Sequence, residues 1–246
     1  MTAFGRLPMP FYQAADHLAI DLPGGRALFT TRQGGVSRGP YASLNLGLWT
    51  DDDRDCVLVN RAQVAAATGV PDVALAQGLQ VHEGRVRQIV DRGQAVREPE
   101  PADGQATTLP AVAPLVLVAD CLPIALIARE AVAMLHAGWR GLASGIVAEG
   151  VQSLRDLGAE GDIAAAIGPG IGPCCYEVGD EVRSALGTSG RTADLKAVAH
   201  AQLEAAGVAE VHDCGLCTMC SDPALFFSHR RDHGVTGRQA GLAWRT

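Results

Sequence analysis

The chain has 246 residues, of which 48% are hydrophobic, and its 20 basic and 27 acidic side chains give a formal charge of −7. These values exclude disorder, which needs low hydrophobicity with high charge, and the acidic balance argues against a dedicated nucleic-acid binder. The length fits one large α/β domain or two small ones, of which a single domain over residues 1–246 is the expectation, and a chain of this size can bury roughly three-quarters of its unfolded surface without disulfide staples.

Met1 to Gln13 lacks the cationic start and apolar stretch of a signal peptide, so a reduced, cytoplasmic chain is expected. The first element, a strand over 26–32, ends at Gly34-Gly35, and a loop of small residues follows over 37–48. Asp51 to Asp53 can cap a helix over 55–68, which stops at Gly69. Strands are predicted over 75–82 and 85–90. The polar stretch 92–104, with Pro99 and Pro101, reads as a surface loop.

The most apolar run, 111–128, is long enough for a membrane span, but it contains Asp120, Pro114 and Pro123. A charge near a bilayer centre costs about 3 kcal/mol, so two buried strands joined by a turn explain the run better. With 131–135 they make three short strands, whose spacing predicts antiparallel neighbours. A helix over 141–157 carries an apolar face of Ile146, Val147, Val151 and Leu154. A strand over 163–167, helices over 179–186 and 194–206, and a strand over 208–212 complete an α/β chain of mixed sheets with flanking helices.

Three polar positions sit at ends of apolar strands: Gln80-Val81-His82, Ala119-Asp120-Cys121 and His136-Ala137-Gly138-Trp139-Arg140-Gly141. Two imidazoles and a thiolate make a three-ligand zinc site with an open fourth position, the pattern of catalytic zinc. A Cys–His nucleophile pair, with Cys121 activated by His136 or His82, is the other chemical reading, and the plain one is a core cysteine with surface or core histidines. Gly168-Pro169-Gly170-Ile171-Gly172-Pro173 is neither a dinucleotide fingerprint nor a Walker A loop, since prolines remove the amide donors that would cradle phosphate. Cys214-x-x-Cys217-x-x-Cys220 lacks the fourth cysteine of a ferredoxin run, and no second pair lies nearby to close a four-cysteine site, so reduced thiols are expected there. Cys174-Cys175 reads as packing.

The segments QVH, ADCLPI, HAGWRG, IGPGIGPCCYEVG and FFSHRRD…TGRQAG, in this order, resemble the multicopper polyphenol oxidase (laccase-domain) family. Its members are also described as purine nucleoside phosphorylases and, in some bacteria, as peptidoglycan editing factors. The similarity spans about residues 26 to 243 and includes Thr31 to Ser37 and Ser43 to Gly47. It implies one layered α/β domain, similar to the catalytic domain of the cytotoxic necrotizing factor toxins. It also implies a metal site on His82, Cys121 and His136, and a phosphate-binding arginine at Arg61.

Seven histidines, with no His-x-His pair, are too few for four coppers, which argues against the oxidase activity, although copper can compete for a zinc site. Phosphorolysis of a purine nucleoside such as adenosine, inosine or methylthioadenosine asks instead for a cation on phosphate, donors to the purine and a clamp on ribose. Arg32, Asn45, Arg61, Gln80, His229 and Arg230 are available for these roles, and all but one of the chain's cations are arginines, which grip phosphate bidentately. Adenosine deamination would use a metal-activated water with Asp120 as proton-transfer partner, Asp120 being equally suited to accept backbone donors at its turn. A peptidoglycan-precursor hydrolase with Cys121 as nucleophile is the alternative enzyme. A metal-binding partner module built on Cys214 to Cys220 is the non-enzymatic one.

Overall fold

The computed structural model describes residues 4–246. Two six-stranded mixed sheets pack face to face. The first has the strand order β1 (Tyr12–Ala14), β2 (His17–Leu22), β3 (Gly25–Phe29), β12 (Gln239–Arg245), β7 (Val112–Val118) and β4 (Ala74–Gln77). The second has the order β11 (Glu210–Asp213), β10 (Ala164–Ile167), β8 (Leu122–Ile127), β9 (Val132–Ala137), β6 (Gly104–Thr107) and β5 (Val86–Ile89).

Side chains alternate across each strand, and the central strands β7, β8 and β9 are covered on both faces. On β7, Val116 and Val118 join Phe29, Ile127 and Met134 between the sheets, while Leu115 and Leu117 face outward onto Leu46 and Val64. On β8 and β9, Ile124, Leu126 and Leu135 turn the other way, onto Ile146, Val147 and Leu154 of α4 (Ile146–Asp156) and Leu203 of α6 (Leu195–Ala205). This double burial is why the run 111–128 is continuously apolar. A Cβ on Gly241 of β12 would stand 2.7 Å from Pro123 and 2.9 Å from the Met134 sulfur, so glycine allows the sheets to close there.

The predicted strand pair in 111–128 exists, but not as a hairpin. β7 and β8 belong to different sheets, and Ala119-Asp120-Cys121 carries the chain across between them, with Asp120 at φ +94°. β8 does pair antiparallel with β9. The helix predicted over 141–157 is broken into α3 (Trp139–Ala143) and α4 by Gly145, which adopts φ +81°. The helix predicted over 55–68 is α1 (Arg54–Ala67), whose N-cap Asp53 accepts from the amides of Asp55 and Cys56. The helix predicted over 179–186 is α5 (Asp180–Leu186).

Two departures bear on the site. The strand predicted over 75–82 ends at Gln77, because Gly78 packs against the Ala102 carbonyl and the chain turns away from the sheet. The stretch 92–104 is not loop throughout. It starts with α2 (Arg92–Val96), held by a capping box between Asp91 and Gln94, and it ends with Ala102 and Asp103 fully buried. Strand β12 carries little alternation because both its faces are covered, which hides it in a reading by period. No helix among the described residues is long and apolar enough to cross a membrane.

Candidate metal and nucleoside site

His136 closes β9. The alternation that turns Val132 and Met134 between the sheets turns His136 the same way, at the open end of the sandwich. Cys121 sits on the crossover from β7 to β8, beside that opening. His82 arrives from the loop after β4. One potential ligand atom from each of the three lies within 4.8 Å of the other two. The His82 and His136 rings meet edge to face at 4.8 Å between centroids. A Cβ on Gly138 would stand 2.9 Å from the Cys121 sulfur and 3.5 Å from the His82 ring, so only glycine fits beneath the trio.

Asp103 holds the site together, and no motif in the sequence marks it. Its carboxylate, with no exposure, accepts from the amides of Val81, His82 and Glu83 at 2.9–3.0 Å. Three successive amides converging on one anion fix the His82 loop, including the left-handed His82 at φ +63°. The same carboxylate meets His136 Nδ1 at 2.7 Å, leaving Nε2 for a ligand or the Cys121 thiol. The burial of Asp103 works against its charge, but the His136 bond and the amide donors prevail and keep its pKa below the usual range. A backbone bond from His136 N to the Asp103 carbonyl at 2.7 Å ties the residue just before β6 to β9.

The trio is electrostatically coupled. Burial opposes ionisation of Cys121, but the His136 charge and hydrogen bonds from His136 and His82 outweigh it and bring the thiol down to about 6. Burial likewise opposes the His136 cation, and the Cys121 sulfur and Asp103 overcome it, raising the imidazole to about 9. A thiolate beside an imidazolium is the result.

The trio opens into a cavity of about 560 Å³, within the range of small-molecule sites. Of the residues singled out in the sequence, Gln80, His82, Asp120, Cys121, His136, His229 and Arg230 line it. Gln80 donates to the Leu117 carbonyl and accepts from its amide, both at 2.8 Å, so it caps the edge of β7 where the strand β4 has ended. Asp120 takes the Thr218 hydroxyl at 2.6 Å and the Arg230 amide at 2.7 Å, which ties the C-terminal segment over the cavity. His229 and Arg230 are exposed at its rim, with the Arg230 guanidinium 5.4 Å from the Tyr176 ring centre and donating to the Glu177 carbonyl.

Arg32, Asn45 and Arg61 lie outside the lining. Arg32 stacks 4.4 Å from the centre of the Phe227 ring and donates to the carbonyls of Ala42 and Pro223. Asn45 is fully buried and accepts from the amides of Gly47 and Arg238. Arg61 donates to the Leu46 carbonyl and to the Gln77 side chain, one layer behind the cavity, and its burial lowers its pKa to about 10. The arginines that do line the cavity are Arg140, Arg230 and Arg238. Arg140 faces Glu181 at 3.6 Å, whereas Arg238 donates only to the carbonyls of Thr236 and Gly237 and has no carboxylate in ion-pair reach among the described residues. Arg238 lies in the TGRQAG segment; its position at a motif was visible in the sequence, but nothing local marked it as the cavity cation.

A family model described as multi-copper polyphenol oxidoreductase laccase matches residues 26–246. The chain belongs to that family. Among its relatives is a Geobacillus stearothermophilus protein named purine nucleoside phosphorylase YlmD, 39% identical, with 90% of each chain covered. A Pseudomonas aeruginosa protein also named purine nucleoside phosphorylase is 39% identical, over 89% of this chain and 93% of that one. The crystal structure of the Geobacillus YlmD superposes with a TM-score of 0.88 at 36% identity, covering 97% of this chain and 99% of that one. That of a Bacillus licheniformis protein, YfiH, superposes with a TM-score of 0.84 at 33% identity, covering 97% and 100%. The layered α/β architecture with two mixed sheets is therefore the family's own.

Proposed function

We propose that this chain is a zinc-dependent purine nucleoside phosphorylase, cleaving nucleosides such as adenosine, inosine or methylthioadenosine with phosphate. The observation that carries the reading is the convergence of His82, Cys121 and His136 on a cavity that also holds an arginine, Arg238, without a carboxylate partner among the described residues. The names of the relatives support it.

The donor set fits zinc. His82, Cys121 and His136 would hold the ion with two imidazoles and a thiolate, a set that catalytic zinc sites complete with a fourth, exchangeable ligand, and Asp103 behind His136 is the carboxylate–histidine support that such sites use. When bound, the ion would supply Lewis acidity toward a substrate oxygen or nitrogen. A multi-copper oxidase needs a blue-copper site and a further cluster rich in imidazole. Among the described residues, the trio is the one candidate ligand group that contains histidine. His200 and His212 instead face Glu204 and Glu210. The oxidase chemistry in the family's description therefore lacks its ligands here.

The protein's own groups divide the remaining work. Arg238 and Arg230 hold phosphate by charge-assisted hydrogen bonds below the anomeric carbon. Tyr176, in the cavity wall, keeps its hydroxyl protonated because burial raises its pKa, and it offers a hydrogen bond to the purine. His229, at the rim, stacks on the base, and Gln80 shapes the floor beside His82. The test is incubation of the three nucleosides with and without phosphate. Free base and ribose 1-phosphate should appear only with phosphate, and no phosphate-dependent base release would refute the reading.

One observation favours a second reading. Cys121, His136 and Asp103 stand in the order nucleophile, base and orienting carboxylate, the arrangement of a cysteine hydrolase. That reading, an amide hydrolase acting on a peptidoglycan precursor, retains activity after zinc is chelated, whereas the phosphorylase loses it. In metal-free protein, alkylation of Cys121 should accelerate as pH rises through about 6 and level off above it, well below the ordinary thiol value of about 8.5.

A further inference from the structure

The parallel pairing of β10 with β11 brings their C-terminal ends, Ile167 and Asp213, to one sheet edge. The loops that follow therefore start side by side. They are stitched together by Thr218 N donating to the Gly170 carbonyl at 3.1 Å and Gly172 N donating to the Cys217 sulfur at 3.2 Å. The stitching places Cys174-Cys175 of one loop against Cys217-x-x-Cys220 of the other. The second cysteine pair absent from the local sequence is supplied by this fold. Cys214, the first cysteine of the apparent run, is excluded: it is buried beside the Lys196 ammonium at 3.9 Å.

The four sulfurs of Cys174, Cys175, Cys217 and Cys220 all lie within 4.8 Å of one another, and those of Cys174 and Cys220 are 3.3 Å apart. Zinc–sulfur bonds of about 2.3 Å in a tetrahedron put sulfurs about 3.8 Å apart, so small side-chain adjustments suffice to close the group on one ion. Hydrophobic packing does not explain the cluster, because Cys174 and Cys220 are exposed, where a free thiol is a reactive liability. A single disulfide would employ two of the four sulfurs and leave Cys217, with its amide donor, unexplained. Amide donors to sulfur are what a coordinated thiolate requires.

We infer that Cys174, Cys175, Cys217 and Cys220 form a second metal site, a closed tetrahedral four-thiolate site for a zinc-class ion. Its role is structural. Tyr176 directly follows Cys175, and Thr218, between Cys217 and Cys220, donates to Asp120, which also holds the Arg230 amide. The ion thus pins two walls of the nucleoside cavity to each other from outside.

The test is metal analysis and cobalt substitution of the full-length protein purified under reducing conditions. Wild type should carry two ions per chain. Cys174→Ser/Cys220→Ser should lose one, and Cys121→Ser should lose the other, which separates this site from the trio. The cobalt-loaded protein should show the intense thiolate-to-cobalt absorption of a four-sulfur site, kept in Cys121→Ser and lost in the double variant. Both changed positions are exposed, so folding should survive, and a cooperative melt of the zinc-free double variant checks that it does. The inference is overturned if wild type carries a single ion that Cys121→Ser abolishes, if the double variant keeps wild-type metal content, or if mass spectrometry of freshly quenched protein finds a Cys174–Cys220 disulfide.

Discussion

The molecule carries two thiol-bearing groups that differ in how they are held. The trio of His82, Cys121 and His136 stands at the mouth of the sandwich, mixes nitrogen with sulfur, is braced by a buried carboxylate and opens onto a cavity. The four cysteines lie on two surface loops, contain sulfur alone and are braced by a backbone amide, and the tetrahedral site inferred above would leave them no open position. An open ligand set beside a cavity can act on a substrate, whereas a closed one can only hold chain segments in place. On the readings proposed above, the difference suits the first group to chemistry and the second to architecture, although both use cysteine.

The sharpest way to break that contrast is Cys121→Ala. Turnover should fall by about 1,000-fold or more, since a Lewis acid supplies several kcal/mol to the transition state, while the melting transition remains cooperative. Asp103→Asn should weaken metal binding at the trio by about 10- to 100-fold in chelator competition and leave the four-cysteine site loaded. Arg238→Ala should raise the KM for phosphate by about 10- to 100-fold, the worth of one or two charge-assisted hydrogen bonds. Arg61→Gln sharpens the boundary of the site. Its guanidinium is spent on Leu46 and Gln77, so stability should drop by about 1–3 kcal/mol in urea unfolding, with the phosphate KM little changed.

The sequence made the trio legible because each member stands in a specific motif at the end of an apolar run, although the structure leaves only His136 on a strand and places His82 and Cys121 on the connections. It did not mark Asp103, which sits at the end of a polar stretch with two prolines and reads as solvent-exposed. Its burial follows from the pairing of β6 with β9, a contact between segments about thirty residues apart. The four-cysteine group was hidden for the same reason. Its two halves are joined by the β10–β11 pairing, so the local run suggested Cys214 and omitted Cys174 and Cys175. Helices with local signals, such as α1 with its Asp53 cap, were readable to within a residue or two. The sheet membership of β7 and β8 was not, because a crossover between sheets and a hairpin turn look alike in a short polar break.

The most direct test follows labelled phosphate with inosine. In wild type, label should enter a sugar phosphate in one-to-one ratio with free hypoxanthine, and both products should vanish together in Cys121→Ala. Hypoxanthine released alongside unlabelled ribose, or label transfer undiminished in Cys121→Ala, would contradict the phosphorylase reading.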